Sequence, residues 1–550
     1  MRTTDPSGDP TAAPSGVTTG HVLRIALTGD GRARRLAACT LGLVVHNLGD
    51  AAVPVLIGVI IDRAVMPGDP RALAVWLGAL AGVFLLTSLS YQRAMLGMVR
   101  VYGHGEHDLR QLALGRVLHP RGHARRSTGE VLSITTNDTF QVAGVSWSIV
   151  QQLATVAGLV AAAGALLAVS APLGIGVLAG AVAVLVLMQR LSRPMFARGR
   201  TEQRAVAAAS DVAADAMAGL RTIRGLGAED EVARRYRVAS AHSRDTAVAS
   251  ALSLRGYEAV SDVVSLVYLA VLTFAAGWLA LDGTITPGEL VTVIGLAQYL
   301  KGSLSHIGTF GANWAYKRAS AARLRAFVAE EYQLPGAAHP APRRSGDAGV
   351  LTWEATADAS AATAPTVTAR AGRLVGVHVA TSDAGRIADR LGFRTVPARG
   401  ELTLDGVDAL DLGPDAWHRA VTVPPRDSTL FTGSLRENVT FSDAQVDADV
   451  ATATALDDVV THLGSVEAPV GEGGHRLSGG QRRRAVLARA LHASGHVLVL
   501  DEPTMSLDPV TARDVATGLA ALVHDRPGLA VLVITSDHLM LDACDEVVEL

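Results

Sequence analysis

Long apolar stretches alternate with polar segments over roughly the first 311 residues of the chain. A helix that crosses the hydrocarbon core of a bilayer needs about 20 mostly apolar residues. Six stretches meet this requirement, with approximate limits 36–61, 73–96, 144–169, 172–188, 260–281 and 290–311. The pattern therefore predicts six membrane-spanning helices, so we expect the lipid bilayer to be one partner of the chain.

The connections between these stretches differ in length. Those after the first, third and fifth stretches are short, whereas those after the second and fourth run for roughly 50 to 70 residues and are too long to be plain loops. Both long connections are rich in arginine: Arg100, Arg110, Arg116, Arg121, Arg125 and Arg126 in one, and Arg190, Arg193, Arg198, Arg200, Arg221 and Arg224 in the other. The positive-inside rule places them in the cytoplasm together with both termini. We expect a multi-pass protein of the bacterial inner (cytoplasmic) membrane.

The pattern changes in the second half of the chain. Short runs of valine and leucine separated by helical segments replace the long apolar stretches and predict an α/β domain. We expect a disordered cytoplasmic tail over residues 1–20, a six-helix membrane domain over 21–328, a linker over 329–348 and the α/β domain over 349–550.

Composition supports this division and excludes other classes. The hydrophobic share of 49% is high for a soluble protein. A net charge of −3 gives no basic excess, so we expect no nucleic-acid partner. The chain has two cysteines, Cys39 and Cys544, in regions of opposite character, and two are too few for a disulfide framework.

Two motifs in the α/β domain carry recognisable chemistry. A run of apolar residues ends in the carboxylates Asp501 and Glu502, and a glycine-containing pentapeptide precedes it at residues 477–481. The members of the pentapeptide are Leu477, Ser478, Gly479, Gly480 and Gln481. Together the two motifs resemble the signature and Walker B motifs of ABC-transporter ATPase domains. The resemblance implies ATP and Mg²⁺ as cofactors.

The membrane half resembles the exporter-type ABC fold. Residues 127–138 are similar to the TGE-L-S-TND stretch of that family, and residues 219–230 are similar to the segment around its second coupling helix. The resemblance implies a helical six-span membrane domain whose helices extend below the bilayer, followed by an α/β ABC ATPase domain.

In this family the ATPase domains close head to tail, so that each ATP lies between the phosphate loop of one chain and the signature motif of the other. On the donating side this chain is intact. Ser478 supplies a hydroxyl, and Gly479 and Gly480 open the backbone N–H groups of a helix N-terminus to a γ-phosphate. Asp508 resembles the D-loop aspartate that faces the partner's site.

The chain's own phosphate-binding side is degenerate. A phosphate loop needs a lysine, and the sequence has none after Lys317. Residues 372–386 lie where the family has a strand and then its glycine-rich loop, and the fork of Arg386 is a poor substitute for a lysine. The aromatic residue that stacks on adenine in relatives falls near Ala359.

Other contacts of that site change as well. Pro425 or Arg426 takes the place of the Q-loop glutamine, and Ser536 takes that of the switch histidine, although a shifted register would restore His538. Asp501 would hold Mg²⁺ weakly and Glu502 would be the catalytic base in an inactive context. The structural alternative for Asp501 is that it orders the adjacent loops.

Two charges within the apolar stretches are candidates for the substrate path. A charge at membrane depth is costly and usually faces a cavity or a partner, which favours Asp50 and Lys301 as path residues. The alternatives are internal ion pairs or positions on the cytoplasmic side of the membrane.

The sequence thus predicts one half of a heterodimeric ATP-driven transporter, which hydrolyses ATP only with a partner half that has an intact phosphate loop. The few charges of the spans suggest a small amphipathic or peptide-like cargo. Two alternatives stay open: a non-transporting pseudo-ATPase that acts as a membrane receptor or regulatory subunit, and an exporter-fold importer of siderophore-like cargo.

Overall fold

The computed structural model describes residues 17–122, 126, 128–337, 349–355, 365–442 and 444–550. These form two compact units, one of residues 17–113 and 128–326, the other containing residues 114–127 and 327–550. The predicted N-terminal tail lies largely outside the described residues. Ala359 and more than half of the predicted linker also lie outside them.

The first unit is helical throughout. Its helices are α1 (Thr19–Thr28), α2 (Arg32–Ile60), α3 (Pro70–Val117), α4 (Thr128–Ser133), α5 (Thr139–Ala143), α6 (Val145–Val169), α7 (Ala171–Ala218), α8 (Leu220–Leu226), α9 (Glu229–Leu281) and α10 (Pro287–Val328). The six predicted apolar stretches fall in α2, α3, α6, α7, α9 and α10, the first running one residue into the π-helical turn that follows α2.

Within the described residues, four helical stretches are long and apolar enough to cross a membrane. They are Thr19–Val65, Pro70–Val117, Gly129–Val169 and Glu229–Leu281. Helices α7 and α10, which contain the other two predicted spans, include side chains outside the described part of the chain.

Three of these helices are much longer than a bilayer requires. Helix α9 has 53 residues, and α3 and α7 have 48 each. At about 1.5 Å per residue they span roughly 70 to 80 Å, against a hydrocarbon core of about 30 Å. The long connections predicted from the sequence are therefore helical extensions of the spans, and the short helix α8 lies within the segment 219–230.

Small residues allow close helix packing in this unit. A Cβ added to Gly158 on α6 would lie 2.0 Å from the hydroxyl oxygen of Tyr299 on α10. That hydroxyl donates to the backbone oxygen of Asn47 on α2, at 3.1 Å. Glycine at position 158 thus brings three helices together, as small residues commonly do between membrane helices.

The second unit is the predicted α/β domain. Its strands are β1 (Leu351–Glu354), β2 (Thr366–Ala369), β3 (Leu374–His378), β4 (Leu402–Leu404), β5 (Val407–Asp408), β6 (Val421–Thr422), β7 (Val497–Asp501), β8 (Ala530–Thr535) and β9 (Glu546–Glu549). Its helices are α11 (Thr381–Leu391), α12 (Ala409–Ala420), α13 (Leu435–Thr440), α14 (Ala448–Ala453), α15 (Asp457–Leu463), α16 (Gly479–Ala493), α17 (Pro509–Asp525) and α18 (His538–Leu541).

The strands form two sheets. One is antiparallel, with the order β2-β1-β4-β5, and the other is parallel, with the order β6-β7-β8-β3-β9. Every residue of β7 and β8 is buried. Their continuous apolar runs are typical of a parallel strand that is covered on both faces.

The register of the parallel sheet brings three strand ends together. Asp501 of β7 pairs with Ile534 of β8, and Thr535 of β8 pairs with His378 of β3. The residues that follow these strands therefore meet at one edge of the sheet. In open α/β sheets this carboxyl edge is where ligands usually bind.

Residues 114–122, which belong to this second unit, contact the segment that follows α10. Arg121 and Leu334 exchange two hydrogen bonds, from Leu334 N to Arg121 O at 2.9 Å and from Arg121 Nε to Leu334 O at 3.0 Å. Two guanidinium groups lie over the ring of Tyr332, with Arg116 Cζ at 3.5 Å and Arg121 Cζ at 4.5 Å from its centroid. We call this arrangement the Tyr332 clasp.

Candidate functional site

At the carboxyl edge of the parallel sheet, Arg426 pairs with Asp501, the aspartate of the predicted Walker B motif. Arg426 Nη2 donates to Asp501 Oδ1 at 2.6 Å, and Arg426 Nε donates to Asp501 Oδ2 at 3.1 Å. The Asp501 side chain is only 2% exposed. Such a bidentate pair is among the stronger charge-assisted contacts in proteins.

The same guanidinium group also reaches the start of α11. Its Nη1 and Nη2 lie 3.4 and 3.3 Å from the backbone oxygen of Thr381. The hydrogen bond to Asp501 raises the pKa of Arg426 above its ordinary value, which keeps the group charged. Arg426 therefore ties the segment after β6 to β7 and to α11.

A second arginine, Arg483, holds the backbone of the two segments that carry the Arg426–Asp501 pair. Arg483 on α16 donates to the backbone oxygens of Arg426 at 2.7 Å, Asp501 at 3.1 Å and Glu502 at 2.7 Å. Burial lowers the pKa of Arg483. Helix α16, which begins within the signature pentapeptide, is thus connected directly to both the Walker B segment and the segment that carries Arg426.

Glu502, the predicted catalytic base, is 4% exposed and surrounded by hydroxyl groups. Thr381 Oγ1 donates to Oε1 at 2.9 Å, Thr535 Oγ1 donates to Oε2 at 2.7 Å, and Ser536 Oγ donates to Oε1 at 3.2 Å. The backbone N–H of Ser536 adds a weaker contact at 3.3 Å. Both carboxylate oxygens are therefore engaged by the chain itself.

Ser536, and not His538, contacts Glu502. His538 begins α18, and its ring centroid lies 5.3 Å from that of His378. That Ser536 replaces the switch histidine stays a prediction.

The connection between β3 and α11, where the sequence predicts the degenerate phosphate loop, is short. Only Val379 and Ala380 separate β3 from α11. A Cβ on Gly385, within α11, would lie 3.9 Å from Asp501 Oδ2. Arg386, which was considered as a replacement for the lysine, pairs instead with Asp383 at 2.9 Å, and both side chains are exposed.

These residues do not fit a Mg²⁺ or phosphate site. A metal ion at Asp501 would have to displace a guanidinium group that satisfies both carboxylate oxygens. A glycine-rich loop with free N–H groups and a lysine is what a phosphate loop requires, and an α-helix takes its place here.

The signature pentapeptide, unlike the site around Asp501, lies at an exposed helix N-terminus. Ser478 caps α16 by accepting from Gln481 N at 3.2 Å, and Gln481 Oε1 accepts from Ser478 N at 3.0 Å, which together form a capping box. Leu477 is buried and anchors the turn, whereas Ser478 and Gly479 are exposed.

The two glycines of the pentapeptide face different surroundings. A Cβ on Gly479 would meet open space, and one on Gly480 would lie 3.2 Å from Leu507 Cδ2 and 3.4 Å from Ser506 O. The helix N-terminus is therefore accessible, and it packs against the predicted D-loop.

Asp508 ends that loop as the cap of α17. It accepts from Val510 N at 3.1 Å, from Thr511 N at 3.0 Å and from Thr511 Oγ1 at 2.7 Å. The hydrogen bond from the Thr511 hydroxyl is the largest cause that lowers the pKa of Asp508. Its predicted contact with a partner's ATP stays a prediction.

The membrane unit contains a separate cavity of about 600 Å³. Its described lining comes from α2, α3, α6 and α10: Leu43, His46, Asn47, Asp50, Tyr91, Met95, Trp147, Ser148, Gln151, Gln152, Thr155, Gln298, Tyr299, Gly302, Ser303, Phe310 and Asn313. Asp50 is part of it. Lys301 Nζ lies 3.6 Å from Asp262 Oδ1, and both of these side chains are largely exposed.

Comparisons with known proteins match both halves of the chain. The family model described as the ABC transporter transmembrane region matches residues 36–304, and the one described as ABC transporter matches residues 391–505. The chain belongs to the ABC transporters and has fused membrane and ATPase domains, with the exporter fold. The fold is shared with a bacterial Atm1-family ABC exporter with ATP bound, at a TM-score of 0.73 and 22% identity over 94% of this chain and 93% of that one.

Among curated relatives of this ABC transporter chain is a multidrug efflux ATP-binding/permease protein of Mycobacterium bovis. It is 26% identical over 511 residues, which are 90% of this chain and 42% of that protein. A mycobactin import ATP-binding/permease protein of Mycolicibacterium thermoresistibile is 41% identical over 142 residues, or 25% of this chain and 24% of that protein. The matched segments cover less than half the length of either relative.

Sequence reasoning missed the positive role of three side chains in the ATPase domain. Arg426 was seen only as the loss of a glutamine, and the hydroxyls of Thr381 and Thr535 were not singled out. One signal was available, because a cation at a position that normally contacts a metal ion has the charge needed to pair with the Walker B aspartate.

Proposed function

We propose that this chain is one half of an ATP-driven transporter of exporter type. It donates its signature motif and Asp508 to an ATP held by a partner half with an intact phosphate loop, and its own site is noncatalytic. The proposal places the protein in the cytoplasmic membrane with both termini in the cytoplasm.

The bidentate pair between Arg426 and Asp501 carries the proposal. Phosphoryl transfer in ATPases depends on a metal ion and a lysine that neutralise the phosphate charge. Here the carboxylate that would face the metal ion is neutralised by the chain's own guanidinium group. Both oxygens of Glu502 lie within hydrogen-bond distance of hydroxyl groups of the chain itself, which compete with a water for this carboxylate.

The family match supports the same division of the ATPase domain. The ABC transporter model matches from residue 391 onward, which is after the segment 372–386 where the phosphate loop would lie. The matched part contains the signature motif and the Walker B carboxylates.

The accessible signature turn argues against a receptor that never clamps ATP. Gly479 has open space around it and Ser478 is exposed, at a helix N-terminus of the kind that binds phosphate. A chain without any ATP to contact has no physical need for two glycines at this turn.

The test is ATP hydrolysis by the purified chain alone and by the chain purified with its partner half, sought among the products of neighbouring genes. The key variant is Gly479→Asp, which places a negative charge where the partner's γ-phosphate would lie. An aspartate in the first turn of a helix is favourable for the helix itself, so we expect the variant to fold.

Gly528→Asp is the matched control, because its added Cβ also meets open space but lies on the turn before β8. Hydrolysis by the pair only, abolished by Gly479→Asp and retained by Gly528→Asp, is the expected result. Substantial hydrolysis by the chain alone would overturn the proposed noncatalytic site.

Import is a second candidate direction for the same machine. It is favoured by the 41% identity to the mycobactin import protein, although that similarity covers a quarter of this chain. Uptake or extrusion of cargo by inside-out vesicles that contain the pair would decide between the two directions.

A further inference from the structure

Polar side chains from three membrane helices line the cavity of about 600 Å³. On α2 these are His46, Asn47 and Asp50; on α6 they are Ser148, Gln151, Gln152 and Thr155; on α10 they include Gln298, Ser303 and Asn313. Spacings of three and four residues place the α2 set and the α6 set each on one helix face. Because polar groups at membrane depth are costly, such faces turn toward water or a ligand.

Asp50 is the one carboxylate among the described lining residues, and these include neither lysine nor arginine. Two other ionisable groups lie close by: His46, whose Nε2 is 3.4 Å from Asp50 Oδ2, and Lys317, whose ammonium group donates to the lining residue Ser148 at 2.6 Å. The Asp50 side chain is 44% exposed, so its charge is accessible from the cavity. A carboxylate in a cleft with low-dielectric walls raises the local concentration of cations.

The neutral groups of the lining suit the same kind of ligand. Tyr91, Trp147 and Phe310 present aromatic rings to the cavity, and a cation over the face of such a ring is attracted by its quadrupole. The amides of Gln152 and Gln298 each offer donors and an acceptor for hydrogen bonds.

The volume of the cavity limits the size of the ligand that it can bind. A volume of about 600 Å³ lies within the range of roughly 300 to 1,000 Å³ that is usual for small-molecule sites. We infer that the cavity binds a small organic cation with aromatic or hydrogen-bonding groups, and that Asp50 is the residue that selects for positive charge. This inference rests on the proposed function, since it names the class of cargo for the proposed transporter.

Lys301 has no part in this recognition. Its ammonium group pairs with Asp262 at 3.6 Å, and neither residue is among the described residues that line the cavity. The Asp262–Lys301 pair therefore offers a second carboxylate in the membrane unit as an internal control.

The experiment is equilibrium binding to the full-length chain in lipid nanodiscs without nucleotide. The two probes are tetraphenylphosphonium and tetraphenylborate, which have the same shape and opposite charge. The variants are Asp50→Asn, which removes the charge with little change in shape, Asp50→Glu, which keeps it, and Asp262→Asn as the control.

We expect the wild type, Asp50→Glu and Asp262→Asn to prefer the cation, and Asp50→Asn to bind it about tenfold more weakly, the size of one desolvated cation contact. Equal binding of the two probes by the wild type would overturn the inference. So would unchanged cation binding by Asp50→Asn, or an equal loss in Asp50→Glu. Because no ATP is present, failure here leaves the proposed division of the ATP sites untouched.

Discussion

Replacing Arg426 by methionine tests whether the chain's own guanidinium group holds the Walker B aspartate. The change removes the cation and keeps an unbranched side chain of similar length. Asp501, with a side chain 2% exposed, would lose both of its hydrogen bonds from Arg426. Breaking a buried ion pair by removing one partner costs roughly 3 to 5 kcal/mol.

The Arg426 side chain is 26% exposed, so water screens the pair and the lower end of that range applies. We expect a loss of about 3 kcal/mol in the free energy of unfolding of the ATPase domain. For a unit of about 200 residues this lowers the midpoint of thermal unfolding by roughly 6 to 12 °C. Arg426→Lys keeps the charge and loses the bidentate geometry, and we expect a smaller loss.

Differential scanning fluorimetry of the full chain measures the midpoint, and hydrogen exchange of the β7 amides locates the loosening. Arg386→Met is the matched control, because it breaks an arginine–aspartate pair whose side chains are 74% and 47% exposed. Such surface pairs contribute about 0 to 1 kcal/mol. If Arg426→Met lowered the midpoint no more than Arg386→Met, the pair would not be what holds Asp501.

Three further predictions concern the same domain. Glu502→Gln should change ATP hydrolysis by the transporter pair by less than about twofold, because the proposed noncatalytic site does not use this carboxylate. Thr535→Val should destabilise the domain by about 1.5 to 3 kcal/mol in thermal or urea unfolding, because the buried Glu502 loses a hydrogen bond. His492→Gln should flatten the dependence of the unfolding midpoint on pH: burial lowers the pKa of His492, which in the folded state accepts from Asp447 N.

The sign of the pH effect follows from linkage. A base whose pKa is lowered by folding binds more protons in the unfolded state, so its stabilisation is present above about pH 6.5 and is lost as the pH falls below that value. A midpoint difference between pH 7.5 and 5.5 that is equal in wild type and His492→Gln would contradict this. A tenfold loss of hydrolysis in Glu502→Gln, or an unchanged midpoint in Thr535→Val, would contradict the other two predictions.

Local sequence signals predicted the elements whose geometry is set by short-range rules. The serine at position 478 and the glutamine three residues later predict a helix start, and the structure forms that capping box. The apolar run before Asp501 predicts a buried strand, and the structure has β7 there. The loss of a phosphate-loop lysine follows from the sequence whatever the alignment.

Contacts between distant segments were beyond such signals. Arg426 and Asp501 are 75 residues apart, and their pairing depends on the order of strands in the parallel sheet. In the membrane domain the charge of Asp50 stands out in an apolar span, whereas the neutral amides of Gln152 and Gln298, which line the same cavity, do not.

The Tyr332 clasp has a consequence for the order in which the chain is made. It joins Arg121 to Leu334 across 213 residues, so the larger part of the membrane unit, residues 128–326, is synthesised between its two sides. Contacts of such high sequence separation form late, because the intervening chain must be ordered first. Domains usually fold as contiguous units while the ribosome extends the chain, but here Arg116 and Arg121 must wait for Tyr332 until the four long helices α6, α7, α9 and α10 have left the ribosome. Insertion of the helices into the bilayer and closure of the unit that follows are thereby linked in time.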